Sequence, residues 1–197
     1  VATANMDGID PNTLREARTS YQNILDILNG TVLVGDVTGK TVEGRVIIGA
    51  GSAEQIEKSI SPGDIAIVSN RSESQLAALE MDAGCIIVCN DGKVPRTICM
   101  LAEEKGCMVI TTSMGTYAAG QIISQAVPIR YFMSTENLLT FTLHTPVESA
   151  TKVMATVRFR YFPVLDEDGK YIGVVSRRNM LNLHKKQLIL VDHNEKS

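Results

Sequence analysis

Ile65-Ala66-Ile67-Val68 is a wholly apolar run set between Asp64 and Ser69. It shows no alternation, so the strand it predicts is buried on both faces, as inside a parallel sheet. Two further runs repeat it, Cys85-Ile86-Ile87-Val88-Cys89 and Cys107-Met108-Val109-Ile110-Thr111. Helix-length segments separate them. One is expected over Glu73–Met81, and one over Pro95–Lys105, with Pro95 at the start and Gly106 just past the end, the usual positions of both residues. Ser52 is placed to cap a helix reaching Ile60, which Ser61-Pro62-Gly63 breaks, and a last helix is expected over Met114–Gln125. Upstream, helical periodicity over Tyr21–Leu28 ends at Asn29-Gly30, and strands are expected at Thr31–Val34 and Thr41–Gly49. Strand and helix alternating through short loops predict a three-layer α/β domain over 21–126, with a mostly parallel sheet and right-handed crossovers. Residues 1–18 show no clear pattern and look like the cut edge of something larger, so 1–20 reads as the tail of a preceding unit or a linker.

The style changes at Val127-Pro128. A turn near Tyr131–Met133, a strand near Leu139–Leu143 and a helix over Pro146–Val157 are expected. Arg158-Phe-Arg160-Tyr161-Phe162-Pro163-Val164-Leu165 and Tyr171-Ile-Gly173-Val174-Val-Ser176 then flank an Asp-Gly turn and read as a β-hairpin. A helix to Lys186 and a strand over Gln187–Val191 complete the order β-α-β-β-α, a small α+β unit over 127–190. Ser176 stands where the second hairpin strand ends and a helix begins, with Arg177 and Arg178 directly after it. Unpaired N–H groups, a hydroxyl and two guanidinium groups fit an anion cradle. A capped helix with two solvated arginines is the better account from the residues alone, since capped helix starts are common.

The 197 residues carry a formal charge of −3 with a pI near 5.6, which argues against general nucleic-acid binding. No 18-residue apolar run calls for a membrane span, and 1–18 does not read as a signal peptide. Cys85, Cys89, Cys99 and Cys107 lack paired metal-ligand spacing and read as reduced core residues of a cytoplasmic protein rather than zinc ligands. Gly35-x-x-x-Gly39-Lys40-Thr41 is one residue short of a P-loop and precedes a strand-like run, so it is rejected as one. Gly49-Ala50-Gly51 is half of a dinucleotide fingerprint and is better read as a close strand-to-helix turn. The hydroxyls of Thr111-Thr112-Ser113 and Thr116 reach the end of a strand, where they would cap a helix or hold a small anion. Asp192-His193, after the apolar run Leu188–Val191, are hard metal ligands at a sheet edge or part of a polar tail.

Leu188-Ile-Leu-Val-Asp192-His193-Asn194-Glu195 resembles the Asp-His-His/Asn motif of manganese-dependent family II inorganic pyrophosphatases. Val127–Lys186 resembles a cystathionine-β-synthase (CBS) repeat, with Gly173-Val-Val-Ser176-x-x-Asn179 similar to its nucleotide-binding pattern. The preceding α/β domain resembles a DRTGG domain: Asn70-Arg71 stands for one element of that motif and Cys89-Asn90-Asp91-Gly92 for the other. This order is that of the regulatory insert of CBS-containing pyrophosphatases. The resemblance implies a regulatory fragment without the catalytic domain. AMP and ADP would inhibit, and ATP or diadenosine polyphosphates would activate. Manganese or cobalt would bind only in the full enzyme, with Asp192 and His193 among the ligands. It implies a homodimer through CBS repeats, because such repeats work in pairs and one is visible. It further implies a nucleotide site made of Val127, Pro128, Met133 and Ser134 at the adenine, Ser176 with Arg160 and Arg178 at the phosphate, Tyr161 to stack or clamp, and Pro163, Gly173, Val174 and Arg177 among the nucleotide-binding residues. Asn179 stands at the ribose position, where such repeats carry aspartate. A structural dimerisation module without ligand is the competing expectation.

Overall fold

The computed structural model describes residues 10–49 and 51–180. These fall into two compact units, Val1–Met133 and Ser134–Ser197. In the first unit the strands are β1 (Thr31–Val34), β2 (Val46–Gly49), β3 (Ile65–Val68), β4 (Cys85–Val88) and β5 (Met108–Thr111). They form one sheet in the order β1-β5-β4-β3-β2. β2 to β5 pair in parallel, each with the next in sequence, and β1 closes the β5 edge antiparallel.

The helices of this unit are α1 (Thr13–Glu16), α2 (Tyr21–Ile27), α3 (Ala53–Ser59), α4 (Ser72–Glu80), α5 (Arg96–Lys105) and α6 (Thr116–Ile122). The apolar runs serve two cores, and this is why they do not alternate in polarity. Ile65, Ile67, Cys85, Ile87 and Ile110 join Leu14, Ile24 and Ile123 in one core, under α1, α2 and the 3₁₀ turn Ile123–Ala126. Ala66, Val68, Ile86, Val88 and Val109 pack on the other side against Ile56, Leu79 and Ala102 from α3, α4 and α5. Burying the larger of these side chains contributes about 1.5–3 kcal/mol each.

Three expectations need correction. The strand expected over Thr41–Gly49 is confined to Val46–Gly49, and Thr41 makes only an isolated bridge to Ser20. The reason is local: Gly44 is pressed so tightly against Gly63 that a Cβ would stand 2.1 Å from its carbonyl oxygen, and Arg45 is drawn to Asp64. The helix expected over Met114–Gln125 starts two residues later and tightens into the 3₁₀ turn at Ile123. Within the patternless segment, Leu14 and Ala17 lie in the core, because a one-turn helix is too short to show periodicity.

In the second unit, β6 (Phe141–Thr142), β7 (Tyr161–Leu165) and β8 (Tyr171–Ser176) form a three-stranded sheet, with β6–β7 parallel and β7–β8 antiparallel. α7 (Val147–Thr156) covers one face through Ala150 and Met154, against Phe141 and Phe162. The hairpin turn is closed by Asp166, whose carboxylate accepts from Asp168 N at 3.1 Å and Lys170 N at 2.8 Å. Residues 177–180 are helical. The strand expected over Gln187–Val191 and the pair Asp192 and His193 lie outside the described residues.

Candidate functional site

The end of β8 and the helical turn after it form the candidate site of the second unit. Ser176 and Asn179 cap each other. Asn179 Oδ1 accepts from Ser176 N at 3.1 Å and from Ser176 Oγ at 2.5 Å, while Asn179 N donates to Ser176 Oγ at 3.3 Å. A backbone N–H can only donate, so the amide oxygen of Asn179 faces the cap and its NH₂ faces outward. A capping box is the chemistry that the Ser-x-x-Asn spacing encodes.

The two arginines after the cap differ. Arg178 is exposed. Arg177 turns back under the unit, where its Nη2 donates to the carbonyls of Met154 and Val157 at the C-terminal end of α7. A cation there meets the negative end of the helix and satisfies otherwise orphaned acceptors. This part of Arg177 was not legible in the sequence, because the carbonyls it reaches lie 20 and 23 residues upstream.

Along the hairpin, Phe162 pairs with Val175 on the covered face. Tyr161, Pro163, Val174 and Ser176 share the other face, and Tyr161 and Val174 are 68% and 55% exposed. Gly173 is opposite Val164, with nothing within 4 Å of the place a Cβ would take. Arg160 is exposed just before β7, and its carbonyl accepts from Arg177 N at 3.4 Å. Ser134 opens this unit and is exposed. Val127, Pro128 and Met133 fall within the first unit, where Val127 is buried in its core and Met133 is 55% exposed.

In the first unit the two DRTGG-like elements meet at the C-terminal ends of β3 and β4. A Cβ on Gly92 would stand 2.8 Å from Asn70 Cβ, and Arg71 Nη2 donates to Gly51 O at 2.8 Å. These residues hold three loops together. Thr112, expected among helix-capping hydroxyls, instead braces two segments: its Oγ1 donates to Leu28 O at 2.7 Å and accepts from Met114 N at 3.2 Å. The residue capping α6 is Gly115.

Burial raises the thiols of Cys85 and Cys89 above the usual range and pushes Cys107 up to about 12, so all three stay neutral and pack as small apolar groups. Among the described residues, no three histidine, cysteine or acidic side chains are grouped so as to hold a metal ion, and no helix is long and apolar enough to cross a membrane.

The DRTGG domain family matches residues 23–126 and the CBS domain family residues 129–186. Over its full length the chain is 34% identical to a cobalt-dependent inorganic pyrophosphatase of Clostridium perfringens, of which it spans 36%. Over 89% of its length it is 30% identical to a probable manganese-dependent inorganic pyrophosphatase of Thermotoga maritima, spanning 32% of that protein. The chain therefore spans about a third of the length of these relatives. It also matches the crystal structure of the CBS and DRTGG domains from the regulatory region of Clostridium perfringens pyrophosphatase, complexed with its activator diadenosine tetraphosphate. The TM-score is 0.77 and the identity 33%, over 87% of this chain and 75% of that one.

Proposed function

Because the chain belongs to the DRTGG-domain family, carries a CBS domain after it and is homologous to the regulatory region of a pyrophosphatase, we propose that it is a nucleotide-sensing regulatory region and not itself a hydrolase. The observation that carries this reading is the likeness, at a TM-score of 0.77, to a regulatory region complexed with diadenosine tetraphosphate. In the second unit, the start of the helix at Ser176 binds the phosphates of an adenine nucleotide. Arg178 and Arg160 supply charge, Asn179 lies near the ribose, and Tyr161, Pro163, Gly173 and Val174 supply the apolar wall. Ser134, which opens the same unit, lies near the adenine. Arg177 helps to position this set through α7 rather than by touching phosphate. AMP and ADP inhibit, and ATP or diadenosine polyphosphates activate, because short and long phosphate chains favour different packings of paired repeats. Manganese or cobalt belongs to the catalytic part of the full enzyme.

Calorimetric titration with AMP, and separately with diadenosine tetraphosphate, tests the reading. Binding is expected to weaken about tenfold in Arg178→Ala, which removes a charge-assisted contact worth roughly 1.5–3 kcal/mol. No heat with either nucleotide at any protein concentration overturns it.

A second reading, a module that only dimerises, is favoured by the apolar open face of the β6–β7–β8 sheet. The two readings combine in a homodimer in which a second repeat completes the pocket. Nucleotide binding that appears only above the dimerisation concentration distinguishes the combination from either one alone.

A further inference from the structure

Asn29-Gly30 is the one asparagine–glycine pair in the sequence, and it closes α2. Asn29 has φ +45°, and its N–H donates to Asp26 O at 3.2 Å. Gly30 N donates to Leu25 O at 2.9 Å. This is the paired closure that a helix makes through a left-handed residue just past its end. Gly30 is held from the other side as well: a Cβ there would stand 2.9 Å from Ile110 Cγ2 and 3.1 Å from Thr111 O. Only glycine fits between α2 and β5, and the asparagine before it is exposed.

Glycine has no Cβ to shield its nitrogen, so an asparagine that precedes glycine is chemically vulnerable. The Gly30 nitrogen attacks Asn29 Cγ: the N–Cγ bond forms, the Cγ–Nδ2 bond breaks, and the proton of Gly30 N leaves with ammonia. Water then opens the cyclic imide. Its attack at Cγ gives aspartate. Its attack at the main-chain carbonyl carbon gives isoaspartate, whose main chain runs through an extra carbon. The nitrogen that this reaction needs is the one that closes α2. Its N–H is engaged by Leu25 O, and Gly30 cannot turn without displacing Ile110. We infer that Asn29 is a site of spontaneous deamidation that the fold keeps latent, open to reaction only when the end of α2 and β1 come away from β5. A brace sets how often this happens, because Thr112 Oγ1 holds Leu28 O at 2.7 Å, directly before Asn29. Conversion to isoaspartate is one-way for the fold: it lengthens the connection between α2 and β1 at a point where the contacts of Gly30 leave no slack.

Peptide mapping by mass spectrometry tests this on the whole chain, incubated at mildly alkaline pH and read as the mass gain of amide-to-acid conversion at Asn29. Conversion is expected to be at least about tenfold slower in buffer than in the same chain unfolded in guanidinium chloride. Thr112→Val removes the brace and is expected to raise the rate in buffer several-fold, with circular dichroism confirming that the variant folds. Thr156→Val, the same change at an exposed hydroxyl on α7 of the second unit, is expected to leave the rate unchanged. Equal rates in buffer and denaturant overturn the inference, whatever the variants do. So does an absence of conversion in denaturant, or a folded Thr112→Val chain that converts no faster than wild type.

Discussion

Asp64 is 3% exposed and accepts from Arg45 N at 2.8 Å, Arg45 Nη2 at 2.6 Å and Ser61 N at 2.9 Å. Burial alone would raise its pKa, but the Arg45 guanidinium and these N–H donors outweigh burial and hold it below the usual carboxylate range. Asp64→Asn keeps the shape and loses the charge. It is expected to cost about 2 kcal/mol at pH 7, read by chemical denaturation, because charge-assisted hydrogen bonds become neutral ones around a half-exposed Arg45. The pH dependence has a definite sign. A carboxylate with a depressed folded pKa stabilises fully above its unfolded value, about 4, and loses that contribution as pH falls through the folded value. The gap between wild type and variant should therefore narrow below about pH 4. A gap that widened there would refute the assignment. Sequence could show that an aspartate precedes an apolar strand, but not that Arg45, 19 residues earlier, would be its partner.

At the scale of elements, most of the α/β unit could be read in advance because its signals are local. Unbroken apolar runs mark β3, β4 and β5, and Pro95 and Gly106 bracket α5. Gly106 has φ +67°, the left-handed conformation that glycine adopts without strain. Gly106→Ala should lower stability by about 1 kcal/mol, measured as a shift of the thermal midpoint, because no contact within 4 Å offsets the backbone cost. The hairpin of β7 and β8 was legible for the same reason, and so was the cap at Ser176, through its place between a strand end and a helix start; its partner Asn179 was not. The reach of Arg177 to α7 and the brace at Thr112 were not, since both depend on partners distant in sequence. The open face of the hairpin belongs to this scale too. Val174→Lys places a charge on an exposed strand position without touching the Phe162 core. If the chain pairs through this face as proposed, the variant should leave circular dichroism unchanged and abolish the self-association that wild type then shows in analytical ultracentrifugation. Self-association that is equal in wild type and variant would remove this face from the interface.

For the whole molecule, the strand order of the first unit is informative. From β2 to β5 the chain steps in one direction, so the strands contain no point of reversal, the place where open α/β sheets usually bind ligands. The C-terminal ends of β3 and β4 are accordingly closed by Gly92 against Asn70, while a cavity lies at the opposite edge. The same order governs assembly. β2 to β5 can zip up as they leave the ribosome, each strand against the one made before it. β1 cannot join them, because its partner β5 lies 80 residues further on, as the bond from Thr111 to Thr31 records. Closing that long loop is the slow, non-local step. Until then α2 and β1 wait with their apolar faces uncovered, and a nascent chain stalled before Met108 would expose the surface that chaperones recognise.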